Sequence, residues 1–140
     1  MYRRILVAIE NSAADRTILT HVEQLARMTG AELLLVHVAD GVVARHLDDL
    51  ELRESEEMRE DRAYLERLCA ELGEKGFAVK SLLAAGDPAK ELVNVAKTQD
   101  VDLIAMSTHG HRFLADLLHG ATVDRLRHQV SVPVLLLKAQ

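Results

Sequence analysis

Short apolar runs alternate with amphipathic helical stretches along the whole chain, and that alternation leaves few folds open. Arg4 to Glu10 and Glu32 to Val38 are β-branched and leucine-rich, as continuously hydrophobic as strands covered on both faces should be. Between them, Ile18, Val22, Leu25 and Ala26 fall on one helical face. Ser12 with Asp15 has the spacing of a capping box, and Gly30 stops the helix. The three segments make one βαβ unit. Gly41 to Leu47 reads as a loop. Asp48 to Lys75 then reads as a long helix with Leu65, Leu68 and Leu72 as its apolar stripe, ended by Gly76. Ala78 to Ala84 is a third strand. Gly86-Asp87-Pro88 opens the next helix with a capping acid and a proline in the first turn, and Leu92, Val95 and Ala96 face the sheet. Val101 to Met106 and Val132 to Leu137 supply strands four and five, with a helix from about Ala121 to His128 between them. Pro133 has no donor for sheet pairing, which makes strand five an edge at that point.

Five strands alternating with four helices imply an α/β fold. The expected form is a single doubly wound domain over residues 1–140, with a five-stranded, mostly parallel sheet and helices on both faces. At 140 residues and 49% hydrophobic content the chain can fill one core. The formal charge of −5, with no basic arm and no series of aromatics for stacking, argues against a nucleic-acid partner. The apolar run after Arg3 and Arg4 lasts only five residues, too short for a signal peptide or a membrane span, so no membrane insertion is expected. Cys69 is the only cysteine and has no CxxC spacing, which suits a reduced structural thiol in a cytoplasmic protein. The charged run Glu51 to Arg62 reads as a solvated helix face laced with pairs such as Glu71 with Lys75. The alternatives are a flap beside a site or a surface for a protein partner.

The chemistry concentrates between Met106 and His128, where two glycines, several hydroxyls and His109, His111, His119 and His128 follow an apolar strand. Ser107 to Gly110 should form the loop leaving that strand's carboxyl end, the edge at which open α/β sheets bind ligands. Gly110 permits a sharp turn, and Gly120-Ala121-Thr122 reads as the start of a helix whose free N–H groups favour an anion. A plain connecting loop explains both glycines about as well. The histidines fit no standard metal-ligand spacing, so no metal site built from protein ligands is expected. His109 and His111 suit donation to a phosphate, and His128 suits a helix C-terminus. His37, inside a strand, reads as a hydrogen-bonded interior or edge histidine. No G-x-x-x-x-G-K-[ST] loop, no nucleophile elbow and no recognisable carboxylate pair is present, so turnover is not expected beyond a slow ATP hydrolysis.

Over nearly its whole length the chain resembles the universal stress protein family. The family's nucleotide-binding members share a motif of glycine, two residues, glycine, nine residues, glycine, then serine or threonine. The matching stretch is Ser107, Gly110, nine residues from His111 to His119, Gly120 and Ala121. Ser107 stands for the first glycine and Ala121 for the hydroxyl residue, with Thr122 offering a hydroxyl one position later. Ile5-Leu-Val-Ala-Ile-Glu-Asn-Ser12 is similar to the family's first strand and loop, with Glu10 where the family has an aspartate that contacts the nucleoside. Gly86-Asp-Pro88 and Val132-Pro-Val-Leu-Leu-Leu137 also match family patterns.

The resemblance implies a Rossmann-like fold and a stress-response regulator that binds ATP or AMP, with Mg²⁺ bridging phosphate oxygens. In that reading Ala8, Val38 and Met106 line the adenine pocket and Glu10 lies near the nucleoside. The backbone at Ser107 to Gly110 and Gly120 to Thr122, with His109, holds the phosphates. Ala8, Val38 and Met106 are equally at home as core. The resemblance also implies a homodimer, for which Val132, Val134 and Leu136 offer a flat apolar edge, and a further protein partner. A family member that binds no nucleotide and works as a dimeric interaction module is the alternative that the departures at Ser107 and Ala121 keep open. A signalling receiver domain has the same alternating plan, but Glu10-Asn11 and Ala84-Ala85-Gly86 lack its acidic pair and phosphoacceptor aspartate.

Overall fold

A computed structural model describes residues 1–40, 47–108 and 121–139; for 40, 47–55, 108 and 121–123 the description is limited to the backbone. The strands are β1 (Arg4–Ala8), β2 (Glu32–Asp40), β3 (Val79–Gly86), β4 (Leu103–Thr108) and β5 (Val134–Lys138). The helices are α1 (Ala14–Thr29), α2 (Leu47–Glu74), α3 (Pro88–Thr98) and α4 (Ala121–Gln129). All four strand pairings are parallel, in the order β3-β2-β1-β4-β5, so the sheet is wholly rather than mostly parallel.

Parity of the strand residues sorts the core into two layers. Ile5, Val7, Leu33, Leu35, Leu103 and Ala105 pack under α1 and α2 with Ile18, Val22, Leu65 and Leu72. Leu6, Ala8, Leu34, Val36, Val38, Ile104 and Met106 pack under α3 and α4 with Leu92, Val95, Ala96 and Leu126. Strands covered on both faces can be apolar at every position, which is why their runs do not alternate.

Several expected boundaries move. β1 stops at Ala8 although the apolar run continues: the Ile9 amide still donates to the Val36 carbonyl, but Ala8 is the last residue of the strand paired with β2. Val101 is buried but precedes β4, and Ser107 and Thr108, expected in the following loop, extend β4 opposite Leu137 and Lys138. Val132 lies outside β5, which begins after Pro133. The loop expected from Gly41 lies outside the described residues apart from Leu47, which opens α2.

Gly30, with φ of 74°, ends α1 in the left-handed conformation that favours glycine, and its N–H donates to the Ala26 carbonyl. Asp87 caps α3, accepting from the Lys90 amide at 3.0 Å, with Pro88 in the first turn as expected. The Ser12–Asp15 pair bonds reciprocally just ahead of the N-cap residue, Ala13: Ser12 Oγ accepts the Ala14 amide at 3.2 Å and Asp15 accepts the Ser12 amide at 3.2 Å, and Asp15 reaches on to the amides of Glu10 and Asn11 in the loop before the helix. Lys75 pairs with Glu23 of α1 at 2.9 Å, tying two helices where a pair with Glu71 inside α2 was expected.

Candidate functional site

From β1 the chain moves outward through β2 to β3, then crosses back to place β4 on the other side of β1. The connections after β1 and β4 therefore lead to opposite sides of the sheet, which makes the carboxyl edge between these two strands the topological switch point, the crevice position where doubly wound folds bind ligands. The register that sets Val7 beside Ala105 puts Ala8 and Met106 side by side, and Val38 lies two residues past Val36, the partner of Ala8. All three side chains point to the α3 and α4 face and are buried in its core cluster. They form an apolar floor just under the crevice. α4, joining parallel β4 and β5, has its N-terminus, Ala121 and Thr122, at this same edge. His109, Gly110, His111, His119 and Gly120 lie outside the described residues.

The loop after β1 is held by the aspartate paired with Ser12, whose reach extends beyond the cap. Asp15 is 2% exposed, and its carboxylate accepts three consecutive backbone N–H groups: Glu10 at 2.8 Å, Asn11 at 2.8 Å and Ser12 at 3.2 Å. Tyr64 of α2 donates its hydroxyl to the same carboxylate at 2.8 Å. Burial, then the hydrogen bond and negative charge of Asp15, push the Tyr64 phenol above its ordinary range. Asn11 sits at φ of 64°, a left-handed conformation that asparagine tolerates better than most residues. That turn folds the amides of residues 10–12 back over the start of α1, within reach of Asp15.

His37, near the end of β2, completes the cluster. It is interior, as one of the two readings had it: its Nδ1 lies 2.8 Å from the Ile9 carbonyl and its Nε2 3.2 Å from Asp61 Oδ2 on α2. Asp61 Oδ1 accepts from Asn11 Nδ2 at 3.0 Å. Glu10, on the loop so fixed, is 4% exposed. Ser107 does not turn its hydroxyl toward the crevice. It faces α1 and donates to the Ala14 carbonyl at 3.1 Å, so a side chain at the first motif position is accommodated inside the protein.

The remaining histidine expectation is resolved by position. His128 lies in the last turn of α4 and lines a hollow with Lys97, Asp100 and Val101 at the amino edge, away from the crevice. Among the described residues no group of three or more His, Cys, Asp or Glu could hold a metal ion. Among them, too, no helix is long and apolar enough to cross a membrane.

The sequence reading missed Asp61, Tyr64 and the reach of Asp15 beyond Ser12 to Glu10 and Asn11. Its one available signal was His37, a polar residue inside an otherwise apolar strand, which needs a partner when buried.

A family model described as the universal stress protein family matches residues 1–138. The chain is 27% identical to Universal stress protein MJ0577 of Methanocaldococcus jannaschii, over 99% of this chain and 96% of that protein. The solved structure of that protein superposes with a TM-score of 0.83, covering 100% of this chain and 98% of the other. A universal stress protein solved in complex with cAMP shares the fold, with a TM-score of 0.68, 18% identity and coverage of 99% and 98%. Another from Archaeoglobus fulgidus in complex with dAMP does so with a TM-score of 0.64, 20% identity and coverage of 96% and 97%.

Proposed function

The chain belongs to the universal stress protein family, and from that premise we propose that it is a cytoplasmic stress-response regulator that binds an adenine nucleotide, ATP or AMP, and acts as a dimeric switch. The observation that carries the reading is the switch point between β1 and β4, under which Ala8, Val38 and Met106 lie and beside which α4 begins. Two solved relatives of the same fold are complexes with cAMP and dAMP, so the fold accommodates an adenine nucleotide.

In this reading the adenine lies over the apolar floor and Glu10 faces the nucleoside. The triphosphate runs toward the backbone of Ser107 to Gly110, His109 and Gly120 to Thr122, where helix N–H groups and dipole favour negative charge. Mg²⁺ suits this arrangement as a companion of the phosphates, since it is held chiefly by phosphate oxygens and water and asks little of the protein. The chain's own residues bind and orient; no described group is assigned a proton-transfer or nucleophilic role.

β5 is an edge strand. Leu136 is 40% exposed and forms a hollow with Val132, Val134 and Arg127, an apolar edge that a second copy pairing through β5 would cover. Nucleotide occupancy would bias the loops at the carboxyl edge and so the surface offered to a protein partner.

Calorimetric titration of ligand-stripped protein with ATP and Mg²⁺ tests the reading. Saturable binding that weakens when Gly110 or Gly120 is replaced by a bulky residue is the expected result. No heat at high ATP and no co-purified nucleotide would refute it. The buried, internally bonded Ser107 and the Ala121 at the head of α4 would then belong to a dimeric interaction module.

A further inference from the structure

Asp61 lies in the middle of α2, in the charged run that reads as a solvated helix face, and its neighbours Glu57, Arg59, Glu60 and Arg62 are exposed. Asp61 is not. Its side chain is 18% exposed, with one oxygen on Asn11 Nδ2 at 3.0 Å and the other 3.2 Å from His37 Nε2. His37 in turn reaches the Ile9 carbonyl. One carboxylate, 50 residues away in sequence, thus grips the β1–α1 loop on both sides of Glu10. Tyr64, one helical turn later, reaches Asp15, which holds the amides of residues 10–12.

Partly buried ion pairs seldom add net stability over apolar packing, and their best-attested benefit is fixing one arrangement among several. An asparagine at φ of 64° also needs its surroundings to hold it there. Both observations describe a device for position.

We infer that Asp61 is a positioning residue of the proposed nucleotide site, acting through Asn11 and His37 to hold the β1–α1 loop and the Glu10 it carries at the carboxyl edge of the sheet. The inference rests on the nucleotide reading for affinity and stands apart from it for loop order. A preformed loop loses less freedom when a ligand binds, so loosening it weakens binding without removing any ligand contact.

The test compares full-length Asp61→Ala and Asp61→Asn. Asparagine keeps an acceptor for Asn11 and a group able to bond His37. Amide exchange is followed without ligand, and AMP and ATP affinity by calorimetry. In Asp61→Ala, exchange at Glu10 to Ser12 should rise at least about tenfold while α3 and β5 keep their protection. AMP affinity should fall about fivefold, the factor that one hydrogen bond of ordinary net strength represents. Asp61→Asn should restore both to within about twofold.

Unchanged loop exchange in Asp61→Ala would overturn the inference, as would an even rise across the sheet or an absence of rescue by asparagine. Should Asp61→Ala not fold, Asn11→Asp replaces the donor with a second carboxylate at an exposed position whose backbone angle aspartate also tolerates, and the same local rise in exchange is expected. An unsubstituted protein that binds no nucleotide would refute the nucleotide reading, and the exchange result would still decide the role of Asp61.

Discussion

Replacing Asp15 by alanine should destabilise the protein by about 3 kcal/mol, a large effect for a residue at a position where the sequence suggested a modest capping role. Four donors lose their acceptor: the amides of Glu10, Asn11 and Ser12 and the hydroxyl of Tyr64. They do not lose equally. The Glu10 amide is buried, and a buried donor left unmade costs about 1–3 kcal/mol. The Asn11 and Ser12 amides are only partly buried, so water can replace the carboxylate at about 0.5–1 kcal/mol each, and the half-buried Tyr64 hydroxyl adds a similar amount. Relief from burying the charge offsets part of the sum. For 140 residues, an unfolding entropy of about 0.3 kcal/mol/K at the midpoint converts 3 kcal/mol into a fall in Tm of about 10 °C. Asp15→Asn should lose about 2 kcal/mol, because its single oxygen can serve two amides while its NH₂ faces the third. Urea and thermal unfolding read both variants. A loss below about 1 kcal/mol in Asp15→Ala would show that the three amides are solvated at little cost, and the argument that this carboxylate builds the loop would fail.

The other expectations concern single contacts. Tyr64 has its phenol raised above the unfolded value of about 10, so the stability it contributes is present below pH 10 and is lost as pH climbs through the raised value. Tyr64→Phe should lose about 1 kcal/mol at neutral pH and flatten that alkaline decline; an unchanged decline would place its cause elsewhere. Leu126, 0% exposed, is the buried anchor of α4, and Leu126→Ala should cost about 3 kcal/mol by urea denaturation. Gly86 sits at φ of 136° directly before the α3 cap, and a Cβ there would meet Glu91 Oε1 at 3.1 Å. Gly86→Ala should therefore cost about 2 kcal/mol, chiefly in backbone strain; a loss near zero would show that the β3 exit relaxes freely. Leu136→Lys should convert a β5-paired dimer to monomer in light scattering with little change in the monomer's fold; a dimer that persists would rule out pairing through this edge.

What the sequence made legible follows from which forces act locally. Strand and helix identities, Gly30 as a stop and Asp87-Pro88 as a start were readable because each depends on residues within one turn or one strand. Boundaries shifted where burial and ladder pairing part company: Ile9 and Val101 are as buried as any strand residue, yet neither continues its strand. Ser12 and Asp15 have the spacing of a capping box and bond reciprocally, but spacing is blind to the left-handed turn at Asn11, which brings two further amides, those of Glu10 and Asn11, into the carboxylate's reach. The positions of Ala8, Val38 and Met106 at strand ends were legible. That they share a face follows from parity, but that Ala8 lies beside Met106 follows only from a strand order that puts β1 between β2 and β4. Asp61 was illegible, because a helical stretch holding eight acidic or basic residues from Glu56 to Arg67 gives no mark to the one that turns inward to a residue 50 positions away.

The two edges of the sheet differ in a way that bears on where a ligand belongs. At the amino edge the polar groups are consumed by ties between neighbouring strands. Asp102 accepts the amides of Arg3 and Arg4 at 2.8 and 3.0 Å, and the Arg4 guanidinium joins Glu32 and the Gln99 carbonyl. These contacts lock β1 to β2 and β4. At the carboxyl edge the ties come from behind the loop: Asp15 from α1, Asp61 and Tyr64 from α2, and Ser107 Oγ on the Ala14 carbonyl. Ser107, expected to offer its backbone to phosphates, turns its hydroxyl to the α1 side, while Ala8, Val38 and Met106 lie on the opposite face beneath the crevice. Such an arrangement fixes the shape of the edge from the side of α1 and α2. Fixing a loop from behind, at the cost of a buried carboxylate and a left-handed asparagine, is intelligible when its front must meet a ligand in one geometry. The same polar contacts at the amino edge need no such explanation, because there they close the sheet.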